Sequence, residues 1–272
     1  MAAAMESDAR VVVITGASGG IGAALARRLG RDGDRLVLAA RRARELEETA
    51  SAVGGGPERI RTVVTDVTRR QEVERLRDAA LDAFGRIDVW VNNAGRGISR
   101  PVLELTDDDL DDMMTVNVKS ALYGMQAVAP HFIARGRGHL VNISSFLSRI
   151  PVAPQRSAYS AAKAALNSLT TSLRMDLRRM APAVRVTLVM PGVVDTEFVR
   201  NAGGPGASPA GGPPPATRIG GTPVLPQTAD EVADVIARIL ALPVAEVYTN
   251  PVQAALVQRY FANIEAFEAA AG

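Results

Sequence analysis

Tyr159 and Lys163 stand four residues apart in Tyr159-Ser160-Ala161-Ala162-Lys163, so on a helix they share one face. A free phenol titrates near pH ~10 and is a poor base at neutrality. A neighbouring ammonium stabilises phenolate and moves that value toward the working range, which fits proton exchange with an oxygen atom. Of 31 basic residues only Lys119 and Lys163 are lysine. A chain that otherwise uses arginine, yet lysine here, fits a need for a compact ammonium with a tunable pKa. Taken alone, a Tyr-x-x-x-Lys pair is a common helix-surface pattern. Lys119 reads as a solvated helix residue.

A second chemical signal lies near the N-terminus. Thr15-Gly16-Ala17-Ser18-Gly19-Gly20-Ile21-Gly22 follows an apolar run directly and opens a helical pattern. Gly16 permits a sharp turn, while Gly20 and Gly22 let backbone approach a pyrophosphate and let the helix pack closely. The helix start offers free N–H donors and positive dipole to phosphates. Read alone, the segment is equally a tight turn; its place after the first strand favours dinucleotide binding. At the end of the second strand an acidic side chain would accept from a ribose 2′-OH. This chain has Ala39-Ala40-Arg41-Arg42 there. An arginine fork suits a 2′-phosphate, so NADP(H) is the expected cofactor and Arg41 its main contact. The alternative is a pair of solvated helix-start arginines.

The elements that must carry these residues alternate along the chain. Strands are expected at Val11–Thr15, Leu36–Ala40, Ile60–Val64, Val89–Asn92, His139–Ile143 and Val184–Val189, with a weaker one near Glu246–Thr249. They are apolar without polar alternation, as in strands buried on both faces of a parallel sheet. Helical patterns fall at Ile21–Arg31, Arg44–Val53, Arg69–Phe84, Thr106–Ala134 (broken or bent), Ser157–Met180 and Asp230–Leu242, the last capped by Thr228 with Glu231. The repetition argues for a single α/β domain with a Rossmann-type doubly wound parallel sheet of about seven strands, helices on both faces. Residues 1–9 read as an N-terminal tail and 10–272 as the domain. The Gly/Pro-rich stretch is expected to be irregular: either a disordered insertion or, over 197–226, a flexible lid on the substrate. Residues 252–270 read as a C-terminal amphipathic helix with Leu256, Tyr260, Ile264 and Phe267 in its stripe.

Composition sets outer bounds. At 272 residues with 47% hydrophobic content the chain can bury a full core. No apolar run approaches the ~20 residues of a membrane span, and no secretory signal is visible, so a cytoplasmic location is expected. The chain has no cysteine, which excludes disulfides and thiolate chemistry. Its pI of 9.3 reflects an excess of only 31 − 29 = 2 basic residues. Without a basic stripe interleaved with aromatics, nucleic-acid binding is not expected. No metal site is expected.

The glycine turn occurs in one order with Asn92-Asn93-Ala94-Gly95, Asn117, Ser144-Ser145, Tyr159/Lys163 and Pro191-Gly192. That ensemble closely resembles the short-chain dehydrogenase/reductase family over roughly residues 10 to 200. The resemblance implies hydride transfer between NADP(H) and a carbonyl or secondary alcohol. It makes Tyr159 the general acid–base group and has Lys163 bind the nicotinamide ribose and lower the Tyr159 pKa. Ser145 would hold the substrate oxygen, and Asn117 a water in a proton relay. Gly16, Ser18, Gly20, Ile21 and Gly22 would cradle the phosphates, with Asp66 and Val67 at the adenine. Asn93 and Gly95 would lie near backbone or ribose, and Pro191, Gly192, Val194 and Thr196 would clasp the carboxamide. A homodimer or homotetramer is implied, packed through the helices at 106–134 and 157–180.

Some readings stay open. Asp66 and Asn93 fit turn caps equally well. The Ser145-to-Tyr159 interval is one residue longer than the family pattern, which leaves Ser144 as a rival to Ser145. Gly19 stands where NADP-preferring members often carry a basic residue, so Arg41 must supply most of the discrimination. The substrate pocket is expected to be apolar, lined by Phe146, Leu147, Ile150, Val152, Phe198 and Val199. A catalytically silent NADP(H)-binding scaffold is the rival function; an epimerase or dehydratase on the same fold is a third.

Overall fold

An uninterrupted run of β-branched side chains forms β1 (Val11–Thr15), and all five residues are buried. A strand buried on both faces belongs in the middle of a helix-covered parallel sheet. β1 takes that place in the computed structural model, which describes residues 9–196 and 217–270. Its partners are β2 (Arg35–Ala40), β3 (Ile60–Val64), β4 (Val89–Asn92), β5 (Gly138–Ile143), β6 (Val184–Met190) and β11 (Glu246–Tyr248). The order is β11-β6-β5-β4-β1-β2-β3, and every neighbouring pair is parallel. This is the expected seven-stranded Rossmann-type sheet in one domain.

Side chains alternate between two cores. Val12 and Ile14 face one cluster with Leu36 and Leu38, closed by α1 (Gly20–Arg31), α2 (Ala43–Val53) and α7 (Ala229–Ala241) through Leu25, Leu29, Leu46 and Ile236. Val13 faces the other with Trp90, closed by α3 (Arg70–Phe84), α5 (Ser120–Arg135) and α6 (Ser157–Met180) through Leu76, Val128, Phe132 and Leu166. Burying such aliphatic side chains contributes roughly 1.5–3 kcal/mol each before conformational entropy is counted. Thr228 and Glu231 form the expected capping box on α7. No helix among the described residues is long and apolar enough to cross a membrane.

The expected interruption of the helix at 106–134 is found, and two other expectations change. The bent helix at 106–134 is α4 (Asp107–Met114), a π turn at Thr115–Lys119, and then α5. The widened turn absorbs the bend without breaking the chain into a loop. The Gly/Pro-rich stretch is not irregular throughout: β8 (Thr217–Ile219) and β9 (Thr222–Val224) pair antiparallel around Gly220-Gly221. Both glycines have positive φ, 50° and 77°, as a two-residue hairpin turn requires. Residues 197–216 of the expected lid lie outside the described residues. The C-terminal helix is two helices, α8 (Gln253–Ala262) and α9 (Ile264–Ala269). Asn263 turns extended between them and caps the second through Ala266 N. Leu256, Tyr260 and Phe267 are buried as the stripe predicts, whereas Ile264 is exposed.

One buried polar group gives the fold a pH signature. His139 on β5 is buried with Nε2 2.9 Å from Thr187 Oγ1. Burial, with the charges of Arg10 and Arg185, pushes its pKa down to about 4. The unfolded chain takes up this proton near pH ~6.5 and the native state only near 4, so stability falls as pH is lowered through that window. Replacing His139 with Gln should flatten this part of the profile. In urea titrations between pH 6.5 and 4, the native protein should lose up to roughly 3 kcal/mol more than the variant.

Candidate active site

Strand order reverses between β1 and β4, and the crevice at their carboxyl ends is where an α/β sheet of this kind receives ligands. The glycine turn lines that crevice. Gly16 has φ 69° and sits so close to the β4 loop that a Cβ there would lie 2.8 Å from Ala94 Cα. A Cβ on Gly22 would lie 2.3 Å from Gly16 O, so α1 packs directly on its own turn. Asn93 Nδ2 donates to Thr15 O at 2.9 Å and Gly16 O at 3.2 Å, fixing the turn from the neighbouring strand. Its amide is thus spent on the protein backbone. No side chain caps α1, and its first turn holds no acidic residue, which leaves its amide donors suited to phosphate. Ile21 packs on the first core from the same turn.

The two arginines after β2 behave differently. Arg42 folds back on the glycine turn, donating from Nε to Ser18 Oγ at 3.3 Å and from Nη2 to Ser18 O at 3.2 Å. Arg41 is exposed, and its charge is felt at Asp66. Asp66 Oδ1 accepts from the Thr68 amide at 3.0 Å and the Thr68 hydroxyl at 2.7 Å, closing a turn. Burial opposes its charge, but Thr68, Arg41 and Arg69 outweigh that and hold its pKa below the usual range. Val67 packs against the second core.

Beyond β5 the chain brings the chemical residues together. Ser145 bonds the Tyr159 hydroxyl and accepts from Leu147 N at 3.2 Å. Ser144 is turned away: its hydroxyl bonds Asn167 Oδ1 at 2.6 Å and Lys163 O at 3.3 Å. Asn167, one helical turn beyond Lys163, had no motif to mark it. Lys163 is buried and donates to Ile143 O at 2.9 Å, with Nζ 5.8 Å from the Tyr159 ring centre. Burial pushes its pKa down to about 8. Tyr159 is pushed up to about 12 by burial, partly offset by the Ser145 bond and the charge of Arg156. Arg156 is thus a cation whose charge reaches the phenol, in addition to the Lys163 ammonium beside the ring. Arg156 precedes Tyr159 by three residues, a helical spacing that could have marked it.

Asn117 lies in the π turn, buried against Gly95. A Cβ on Gly95 would lie 2.8 Å from Asn117 Oδ1 and 3.5 Å from Lys163 Nζ. The Asn117 amide donates to Arg96 O at 2.9 Å and Met113 O at 3.1 Å and accepts from Arg96 N at 3.3 Å. Both Nδ2 hydrogens are engaged, while Oδ1 keeps one acceptor site. The segment after β6 closes the crevice from the far side. Phe146 N bonds Pro191 O at 2.8 Å, tying it to the serine loop. β7 (Val194–Asp195) pairs with β10 (Gln227–Thr228), and Thr196 lies beside Gly20, 3.4 Å from where its Cβ would be. Gln253 of α8 packs against Gly192, a contact between segments sixty residues apart that no motif signals.

The expected apolar pocket is only partly present. Phe146 and Ile150 are buried among Leu256, Tyr260 and Phe267 and serve as core. Val152 packs on the same cluster and Leu147 on another with Tyr159, while Phe198 and Val199 lie outside the described residues.

Comparison with known proteins agrees with this geometry. The short chain dehydrogenase family model matches residues 10–204. An uncharacterized oxidoreductase of Staphylococcus aureus strain MW2 is 37% identical over 187 residues, covering 69% of this chain and 79% of the relative. A short chain dehydrogenase/reductase from Burkholderia phymatum in complex with NAD has a TM-score of 0.81 at 29% identity, covering 96% of each chain. An alcohol dehydrogenase from the archaeon Thermococcus sibiricus, complexed with 5-hydroxy-NADP, has a TM-score of 0.75 at 29% identity, covering 90% of this chain and 98% of that one. With the ordered motifs, the parallel sheet and this match over most of its length, the chain belongs to the short-chain dehydrogenase/reductase family of oxidoreductases.

Proposed function

We propose that this protein reduces ketone or aldehyde carbonyls with NADP(H) and runs in reverse on secondary alcohols. One observation carries the reading: Ser145, Tyr159 and Lys163 converge, buried, at the carboxyl end of β5 beside the glycine turn. The turn fits a dinucleotide, since glycines at 16 and 22 let it close tightly against Ala94 and Asn93 while α1 presents uncapped donors. Gly16, Ser18, Gly20, Ile21 and Gly22 would hold the pyrophosphate, Arg41 and Arg42 the 2′-phosphate, and Asp66 and Val67 the adenine. Asn93 supports the turn, Gly95 leaves room beside Lys163, and Pro191, Gly192, Val194 and Thr196 hold the carboxamide end. When bound, the nicotinamide supplies the hydride.

The protein's own part is proton chemistry. Ser145 donates a hydrogen bond to the carbonyl oxygen as negative charge grows there. Tyr159, protonated at neutral pH because burial holds its pKa high, gives its proton to that oxygen. Lys163 stabilises the resulting phenolate, and the main chain at Asn117 offers a route for reprotonation. A pKa near 12 makes Tyr159 an acid first and a base only as pH rises, which favours reduction near neutrality. A silent scaffold would need none of this proton machinery.

Three outcomes are expected. Replacing Tyr159 with Phe should lower kcat by roughly 10²–10⁴-fold while NADPH affinity, read by fluorescence titration, stays within about threefold; substantial turnover would remove Tyr159 from its role. Replacing Arg41 and Arg42 together with Ala should lower the NADPH-over-NADH preference by about 10–100-fold, and equal initial affinities for the two would remove the NADP assignment. Lys163→Met should raise the Tm of the dinucleotide-free protein at pH 7, since a buried ammonium with one carbonyl partner opposes folding. The native pKa lies below the unfolded one, so this handicap is full below pH 8 and is relieved as pH rises toward 10.5. The Tm gap between variant and native protein should therefore narrow over that range.

A further inference from the structure

Arg156 acts on Tyr159 through its charge. Three other arginines, two on the segment that meets Arg156 at Ile98 and Arg100 and one seven residues before it, are neutralised. Arg96 pairs with Asp112, Arg100 with Asp109 at 3.2 Å, and Arg149 with Glu246. Arg156 has no carboxylate partner among the described residues. Its one side-chain hydrogen bond there is Nη1 to Ile98 O at 3.4 Å, near the limit of such a bond. Yet the residue is half-buried, and burial works against its charge. A desolvated cation without a counter-ion is unfavourable, and the cost is offset when an anion binds.

The position is held firmly. Arg100 N donates to Gln155 O at 2.7 Å and the Ser157 hydroxyl to Arg100 O at 3.0 Å, clamping the Ile98–Pro101 segment to the start of α6. Arg156 opens α6, whose first turn holds no acidic residue and adds positive potential. Three residues on, Tyr159 lies on the same side of the helix, and the two side chains feel each other's charge. A group held by the guanidinium is thus beside the hydroxyl that exchanges the proton. Phe146 and Ile150, foreseen as apolar walls, are committed to the core.

We propose that Arg156 is a specificity residue that binds a carboxylate on the substrate, so that the physiological substrate is an oxo acid or the corresponding hydroxy acid. The proposal rests on the carbonyl-reductase reading and names its substrate class. A planar fork gives two parallel bonds to a carboxylate and none of that strength to an ester.

The test compares an oxo acid series with the matching methyl esters, using the full chain and NADPH. Native protein should favour acids over esters in kcat/KM by at least tenfold. Arg156→Gln should reduce that ratio at least tenfold, largely through KM for the acid, and Arg156→Lys should recover part of it. A ratio that favours esters, or one unchanged in Arg156→Gln, overturns the proposal. Calorimetric binding of a saturated carboxylate, lacking any carbonyl, to the NADPH-loaded protein separates the two levels. Binding that weakens at least tenfold in Arg156→Gln supports the anion site even if no carbonyl compound turns over, a result that sinks the reductase reading alone. Equal binding by native protein and variant overturns the anion site, whatever the turnover.

Discussion

A buried ammonium organises this protein's chemistry. Lys163 lies in the interior with Ile143 O as its hydrogen-bond partner, 2.9 Å away, and that bond ties α6 to the end of β5. The serine loop leaves β5 at that point, so Ser145 and Tyr159 meet because the lysine and the strand end are joined beneath them. A core tolerates such a charge only where hydrogen bonding or function offsets its desolvation. Asn167 and Ser144 add polar contacts around the lysine's turn of helix, so α6 holds its position along its catalytic face.

The dinucleotide side of the crevice follows a different principle, close approach of backbone. Gly16, Gly22 and Ala94 come within distances that no side chain allows, and the Asn93 amide bridges two carbonyls of the turn. Asn93 therefore fixes the shape of the turn from the neighbouring strand. Arg42 performs a related task from the other side by gripping Ser18, which leaves Arg41 the more open of the pair. The cation nearest the phosphate turn is thus the second arginine, although the first stands closer to the strand.

On the substrate side the C-terminal elements take over. The β8–β9 hairpin, α8 and α9 bury Ile219, Val224, Leu256, Tyr260 and Phe267 against Phe146 and Ile150. Residues that follow Ser145, foreseen as pocket wall, are thereby core. Gln253 and the pairing of β10 with β7 hold the segment after β6 by the same logic.

Much was legible in the chain itself because it depends on local order. Apolar runs marked six strands of the main sheet and a weaker pattern the seventh, and the Thr228–Glu231 box marked the start of α7. The spacing of Tyr159 and Lys163 placed both on one helical face, and the ordered motifs named the family. The Gly220-Gly221 turn was legible too, but it was lost within a composition that reads as loop. Other decisions belonged to tertiary structure alone. Whether Ser144 or Ser145 meets Tyr159 depends on the direction in which the chain leaves β5, and whether Phe146 lines a pocket depends on helices more than a hundred residues away. That the charge of Arg156 reaches Tyr159, with no carboxylate among the described residues pairing that guanidinium, is likewise decided between elements. Periodicity and spacing fix which side chains share an element; desolvation and packing, which act between elements, decide what each of them touches.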